Sequence, residues 1–175
     1  MEPVPSLETQ FAGWLREHRN ILLKVAGSFA AEPAEQADLF QDMAIEVWRS
    51  LPQFRGQAKS STWIYRVCLN TALTWRRSDR KRKERQSPLD LVPELSCNSP
   101  LPGRVHEQDE ILQALYREVR ALPVAERSLV ILLLDGLSYR EISEITGLSE
   151  NRVGVALTRI RKKLANSLKE VRDEL

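Results

Sequence analysis

The chain has 175 residues and a mass of 20.1 kDa, room for one ordinary domain or two small ones, since domains cluster at roughly 100 to 150 residues. With 42% hydrophobic and 29% charged residues it can bury a core and stay in water; its longest strictly apolar run, Leu129 to Leu134, is far too short to span a bilayer, and the start Met-Glu-Pro-Val-Pro does not read as a signal peptide, so the expected location is cytoplasmic. The net charge is +2, and Cys68, Cys97, His18 and His106 have no partners at ligand spacing, which argues against a zinc site, a disulfide framework or any metal cofactor.

In chain order, Leu7, Phe11, Trp14, Leu15, Ile21, Leu22, Val25 and Phe29 recur at three- and four-residue spacing and predict an amphipathic helix. Leu39, Met43, Val47 and Leu51 predict a second. Residues 1 to 51 carry four basic and eight acidic side chains, so this opening is acidic. Pro52 to Ser60, with Gly56 and polar neighbours, reads as a loop. A third, long helix runs from Ser61 to about Arg85 on Ile64, Val67, Cys68, Thr71 and Trp75. Its residues 66 to 85 hold eight basic groups against Asp79 and Glu84, and aromatics interleave with arginines from Trp63 to Arg77. Such a helix suits single-stranded or melting DNA, with rings stacking on bases and cations tracking phosphates; Trp63 and Trp75 also fit a core, and for Trp63 partial burial is as expected as exposure, the two roles being compatible.

Between Ser87 and Gly103 lie four of the nine prolines, the composition of a linker that lets its flanking domains sample many separations. The boundaries follow as 1–87, a linker over 88–108, and 109–175. Beyond it, Ile111, Leu112, Leu115, Val119 and Leu122 form a helix ending at Pro123, and Ala125 to Leu134 form another. No alternating run bounded by hairpin turns is present. The expected fold is all-α: two small helical domains joined by a flexible proline-rich linker.

The sharpest local pattern runs from Gly136 to Glu150. Ser138 stands where an N-cap is needed, Glu141 completes a capping box, Ile142 and Ile145 supply an apolar face, and Gly147 can take the left-handed conformation that ends a short helix. Ser149 caps the next helix, which keeps Val153, Leu157, Ile160 and Leu164 on one side and carries Arg152, Arg159, Arg161, Lys162 and Lys163 largely elsewhere. A short capped helix, a glycine turn and a basic second helix together read as a helix-turn-helix that enters a major groove. No nucleophile with an adjacent base, phosphate-cradling loop or metal cluster accompanies it, so the chain is not expected to be an enzyme or to take a small-molecule substrate.

In this order the segments resemble a bacterial RNA polymerase sigma factor of the extracytoplasmic-function group, the smallest branch of the sigma-70 family, over nearly the whole chain. Asp38-Leu39-Phe40-Gln41-Asp42 with Trp48-Arg49 resembles the helix that binds the polymerase β′ clamp. Phe54-Arg55-Gly56, Thr62-Trp63-Ile64-Tyr65-Arg66 and Asn70 resemble the loop and helix that open and read the minus-10 element. Ala121-Leu122-Pro123 with Arg127, and Gly136 to Ile142, resemble the domain that reads the minus-35 element and meets the β flap. The resemblance implies core polymerase and promoter DNA as partners, with an anti-sigma factor as inhibitor. It implies polymerase contacts at Asp38, Gln41, Asp42, Trp48 and Arg49. Minus-10 contacts are implied at Gly56, Lys59, Ser60, Ser61, Trp63, Arg66, Asn70, Arg76 and Arg77, and minus-35 contacts at Tyr139, Arg140, Arg152, Val155, Thr158, Arg159, Arg161 and Lys162. The chain departs from the family pattern at Arg152-Val153-Gly154-Val155-Ala156, where threonine-valine and closely spaced arginines are common, and Gly154 costs about 1 kcal/mol of helix stability relative to alanine. The rival is a free-standing helix-turn-helix regulator that binds duplex DNA as a dimer; it leaves the acidic helix and the aromatic, basic helix without a role.

Overall fold

The structure, a computed structural model, describes residues 6–85 and 107–173, so the proline-rich stretch from Ser87 to Gly103 lies outside the described residues. Within them the regular elements are helical: α1 (Leu7–Glu17), α2 (Arg19–Phe29), α3 (Pro33–Ser50) with a 3-10 turn at Leu51–Gln53, α4 (Ser60–Arg85), α5 (Glu107–Ala121), α6 (Val124–Leu134), α7 (Tyr139–Thr146) and α8 (Glu150–Asp173).

The single helix expected from Leu7 to Phe29 is broken at His18, which takes φ −109° and ψ 13° while its amide still donates to the Trp14 carbonyl. Redirecting the axis there lets Trp14 of α1 and Ile21, Leu22 and Val25 of α2 reach one core. It also sets the buried His18 ring on the start of α4, with Nε2 at 2.9 Å from Ser60 Oγ. Ser6 caps α1 by accepting from the Thr9 amide, and Pro33 opens α3 where no amide donor is required.

Helix α4 organises the N-terminal half. Ile64, Tyr65, Cys68, Leu69 and Ala72 form its buried stripe, which packs against α2 and against Leu39, Met43 and Val47 of α3. Burial of each leucine-sized side chain contributes about 1.5–3 kcal/mol, and three- and four-residue spacing supplies one such group per turn. Burial also pushes the Cys68 thiol up to about 12, so it stays neutral and unreactive. The loop after α3 is pinned by rings: Phe54 stands edge-on to Trp14 at 4.8 Å and to Trp63 at 5.6 Å between centroids.

In the C-terminal half α6 is apolar almost all round, and it is covered by α2, α5, α7 and α8. Its one cationic side chain, Arg127, is 3% exposed. Arg127 Nη2 donates to the carbonyls of Arg120 and Leu122, which closes the α5–α6 turn around Pro123, and the guanidinium lies 5.2 Å over the Phe29 ring of α2. Burial, with Arg76 and Arg120 nearby, pulls it down to about 10, so it remains charged at neutral pH.

The two halves pack on each other. Arg120 Nη1 donates to the Gly27 carbonyl at 2.8 Å, where the Tyr116 ring approaches a helix position without a side chain. Asp135, at the end of α6, accepts from the Tyr65 hydroxyl and pairs with Lys24. Lys59 Nζ meets Glu141 Oε1 at 2.8 Å, and Arg66 Nε donates to the Glu144 backbone carbonyl at 3.0 Å near the C-terminus of α7, where the helix dipole favours a cation.

Arg127→Ala should lower the unfolding free energy by about 3 kcal/mol, because two carbonyls lose their donor and a cavity opens beside Phe29. Arg127→Lys should lose nearly as much, since an ammonium cannot fork between two carbonyls and stack at once. Urea denaturation followed by circular dichroism measures both.

Candidate nucleic-acid and polymerase interface

Three surfaces carry the residues singled out in the sequence. On α3, Asp38, Gln41 and Asp42 are exposed on adjacent turns of one face, because Leu39 and Met43 turn the opposite face into the core. Trp48 is 39% exposed, its ring edge-on to Phe11 at 5.3 Å, and Arg49 pairs with Glu46 at 2.8 Å.

On α4, Arg66, Asn70 and Arg77 are exposed at spacings of four and seven along one face, with half-buried Arg76 beside them. This row lines a groove of about 1040 Å³ whose far wall is Val124, Ser128, Leu129, Ile145 and Thr146 of the C-terminal half. At its head is a hollow of about 320 Å³ bounded by Phe54, Arg55, Gln57, Thr62, Trp63 and Arg66, with Glu144 of α7 forming part of its rim. Trp63 is half-buried against Phe54 and its buried Nε1 has no hydrogen-bond partner, so the ring is a wall of the hollow more than a free platform. Trp75 is partly buried and borders a second groove, of about 690 Å³, that brings Asp42 and Arg49 of α3 beside Asn70. Gly56 takes φ +69°, a left-handed conformation that glycine adopts at no steric cost, and so sharpens the loop before Lys59.

Part of the α4 surface is engaged within the molecule. Ser60 is held by His18, Ser61 is half-buried, and Lys59 and Arg66 reach α7 through Glu141 and the Glu144 carbonyl. The hydrogen bond from Lys59, with those from Ser138, holds the Glu141 carboxyl down at about 2, and Glu141 in turn raises Lys59. Glu141 therefore contributes stability above its ordinary value near 4.5 that is lost as pH falls toward about 2, and Lys59 contributes below 10.5 what is lost as pH rises past it. The pair is intact throughout the neutral range.

The helix-turn-helix forms as its caps demand. Ser138 Oγ accepts from the Glu141 amide, Glu141 Oε2 accepts from the Ser138 amide at 3.0 Å, and Gly147 ends α7 at φ +75°. Ile142 and Ile145 of α7 and Val153, Leu157 and Ile160 of α8 are buried against α6. Arg152, Val155, Thr158, Arg159, Arg161 and Lys162 are exposed on α8. Arg140 pairs with Glu144 at 3.3 Å, and Arg159 Nη2 is drawn to Glu126 of α6 at 2.8 Å, a carboxylate shared with Lys163 at 3.1 Å. Tyr139 is half-buried because its ring covers Gly154: a Cβ there would stand 3.3 Å from the ring.

Four residues that matter here were not singled out from the sequence: His18 as the joint onto α4, Glu126 as the anchor of Arg159, Asp135 as the junction between the halves, and Asn151, exposed at the head of α8. Glu126 had a signal, the adjacent Glu126-Arg127 pair heading an otherwise apolar helix. The partners of His18 and Asp135 had none, being 42 and 70 residues away in the chain.

Gly154→Ala should leave stability nearly unchanged, because the helix-propensity gain of about 1 kcal/mol is offset by displacement of the Tyr139 ring. In a Tyr139→Ala background the same change should stabilise by about 1 kcal/mol. The double-mutant cycle in urea reads that difference as the coupling between ring and glycine.

Comparison with known proteins gives this geometry a family. The family model for Sigma-70 region 2 matches residues 14–82, the end of α1 through most of α4, and that for Sigma-70, region 4 matches residues 112–164, most of α5 through much of α8. RNA polymerase sigma factor YlaC of Bacillus subtilis is 30% identical over 145 residues, 78% of this chain and 79% of that protein. The ECF RNA polymerase sigma-E factor of Escherichia coli K12 is 29% identical over 139 residues, 75% of this chain and 72% of its own. Among solved structures, the sigma factor RpoE of Bartonella quintana, in complex with the anti-sigma factor NepR, shares the fold with a TM-score of 0.66 at 21% identity, over 90% of this chain and 97% of that one. CnrH, in complex with the cytosolic domain of CnrY, does so at 0.65 and 20%, over 91% and 88%. A basic, aromatic helix and a capped helix-turn-helix in one chain, each matched by its own sigma-70 region, place this protein in the sigma-70 family, as an alternative sigma factor of the extracytoplasmic-function group that directs RNA polymerase to promoters.

Proposed function

We propose that residues 1–87 bind core polymerase and open the minus-10 element, that 88–108 span the two domains, and that 109–175 hold the minus-35 element. The observation that carries the reading is the exposed row Arg66, Asn70 and Arg77 leading into the hollow beside Trp63. A base extruded from the stack needs a pocket, a polar edge and cations for its flanking phosphates, and these residues supply all three within one helix and one loop. Lys59, Ser60, Ser61, Gly56 and Arg76 would border the same strand. On α8, Arg152, Arg159, Arg161 and Lys162, with Arg140 and Tyr139 of α7, would hold closed duplex through phosphates, and Val155 and Thr158 would face the groove.

The exposed face of Asp38, Gln41 and Asp42, with Trp48 and Arg49 farther along α3, would dock on the polymerase clamp, and the C-terminal half on the flap. The protein has no catalytic role of its own in this reading; bond formation belongs to the polymerase. No described helix is long and apolar enough to cross a membrane, which supports a cytoplasmic site of action. The RpoE neighbour from Bartonella quintana is bound to an anti-sigma factor, and on that analogy an anti-sigma factor would act here too. Because Lys59 and Arg66 are tied to α7, promoter opening requires the halves to part, and binding to core polymerase would supply the free energy for it.

Two experiments bear on this. Asn70→Ala should weaken transcription and lose discrimination at one minus-10 position while closed-complex binding stays nearly intact; permanganate footprinting beside filter binding separates the two, and untouched transcription would make Asn70 a surface amide without a role in reading. Asp38→Lys with Asp42→Lys should abolish co-purification with core polymerase while the helical circular-dichroism signal stays as it was; retained co-purification would remove α3 from the interface.

A further inference from the structure

The outward face of α8 is not uniformly cationic. Asn151, Val155, Thr158 and Lys162 follow one another at spacings of four, three and four residues, and at the centre of that row stands Val155, 67% exposed. An isopropyl group in water on a helix this polar gains nothing for the fold, whose apolar contacts on α8 come from Val153, Leu157 and Ile160. Its neighbour Thr158 donates its hydroxyl proton to the Gly154 carbonyl at 2.9 Å, an internal bond of the helix. The threonine then presents its methyl and an acceptor oxygen, with no donor to offer a base. Beside them Gly154 adds no side chain, and with Tyr139, Glu150 and Asn151 these residues surround a shallow hollow of about 480 Å³.

The obvious reader of guanine, Arg159, is committed elsewhere. Its Nη2 is held at 2.8 Å by the Glu126 carboxylate, which is itself largely buried, so part of the fork that would pair with guanine O6 and N7 is turned toward α6. Arg159 then suits a phosphate, and the centre of the helix is left with two apolar groups flanked by an amide.

We infer that the centre of α8 recognises the C5-methyl groups of thymines, with Val155 and the Thr158 methyl as the specificity-determining contacts in the minus-35 element. This rests on the placement of α8 in the major groove proposed above. Thymine is the one ordinary base with an apolar group on its major-groove edge, and Asn151, one turn before Val155, has the paired donor and acceptor that suit adenine. The recognised core is therefore made of A·T pairs.

The test uses the complete protein bound to core polymerase. Duplexes randomised over the minus-35 region are selected for binding, and each thymine of the selected sequence is replaced singly by deoxyuridine, which removes the methyl and nothing else. At one or two adjacent positions the replacement should weaken the closed complex about fourfold, the effect of one methyl group left in water. A 5-methylcytosine at such a position should bind better than cytosine. In Val155→Ser, thymine and uracil should become equivalent at the position Val155 covers, while phosphate contacts keep the salt dependence unchanged. A working complex indifferent to deoxyuridine throughout, or a Val155→Ser protein that still prefers thymine everywhere by the same factor, overturns the inference and leaves the sigma-factor function standing. A protein that directs polymerase to no selected duplex overturns the placement of α8 itself.

Discussion

Helix α4 has to satisfy two demands that pull apart. Its stripe of Ile64, Tyr65, Cys68, Leu69 and Ala72 must leave water, and its exposed Arg66, Asn70 and Arg77 must, on the function proposed above, remain able to meet a polyanion. An isolated helix of this composition would gain little from burying one face while the like charges on the other repel. The arrangement around it answers both demands: α2 and α3 cover the apolar stripe, and α7 approaches the basic face with carboxylates and the carbonyl end of its own helix. The remaining helices are positioned by what they do for α4 or for the elements that cover it.

The covering of the two faces differs in strength. The apolar side is close-packed and water-free, and it contributes stability in proportion to buried area. The basic side is held by exposed or half-exposed ion pairs and a few bonds to backbone carbonyls, which salt screens and a phosphate backbone can outcompete. Polymerase docking as proposed on α3 and on the C-terminal half would work against the weaker contact and leave the stronger one alone. A sigma factor in which both were hydrophobic could not expose its reading helix without unfolding its N-terminal half.

What could be read from the sequence follows the range of each interaction. The capping box at Ser138 and Glu141, the glycine stop at Gly147 and the long α4 are local, and their residues announce themselves within a few positions. The two-part all-α fold is legible for the same reason. The break at His18 is not, because the heptad-like spacing of Leu7 to Phe29 runs through it with no proline or glycine between Trp14 and Ile21, and only the packing of Trp14 and Ile21 onto a shared core turns the chain. The proline-rich stretch reads as a spacer between separate domains, yet the halves meet through pairs such as Tyr65 with Asp135 and Arg120 with the Gly27 carbonyl, which no periodicity reveals. Trp63 illustrates the middle case: its position in a basic, aromatic helix suggests a stacking platform, and its pairing with Phe54, which the sequence does not reveal, sets the ring as one wall of the hollow.

Glu141 uses its two oxygens for two purposes. Oε2 completes the N-cap of α7, and Oε1 takes Lys59 from the other half. Any drift at this position that loosens the association of the halves by shortening or removing the side chain also frays the first helix of the DNA-binding motif. Glutamine is the exception, keeping the cap and losing the charge. Selection on how readily the molecule opens is thus channelled away from position 141, toward Lys59 and the surrounding charges, where the same freedom costs no helix.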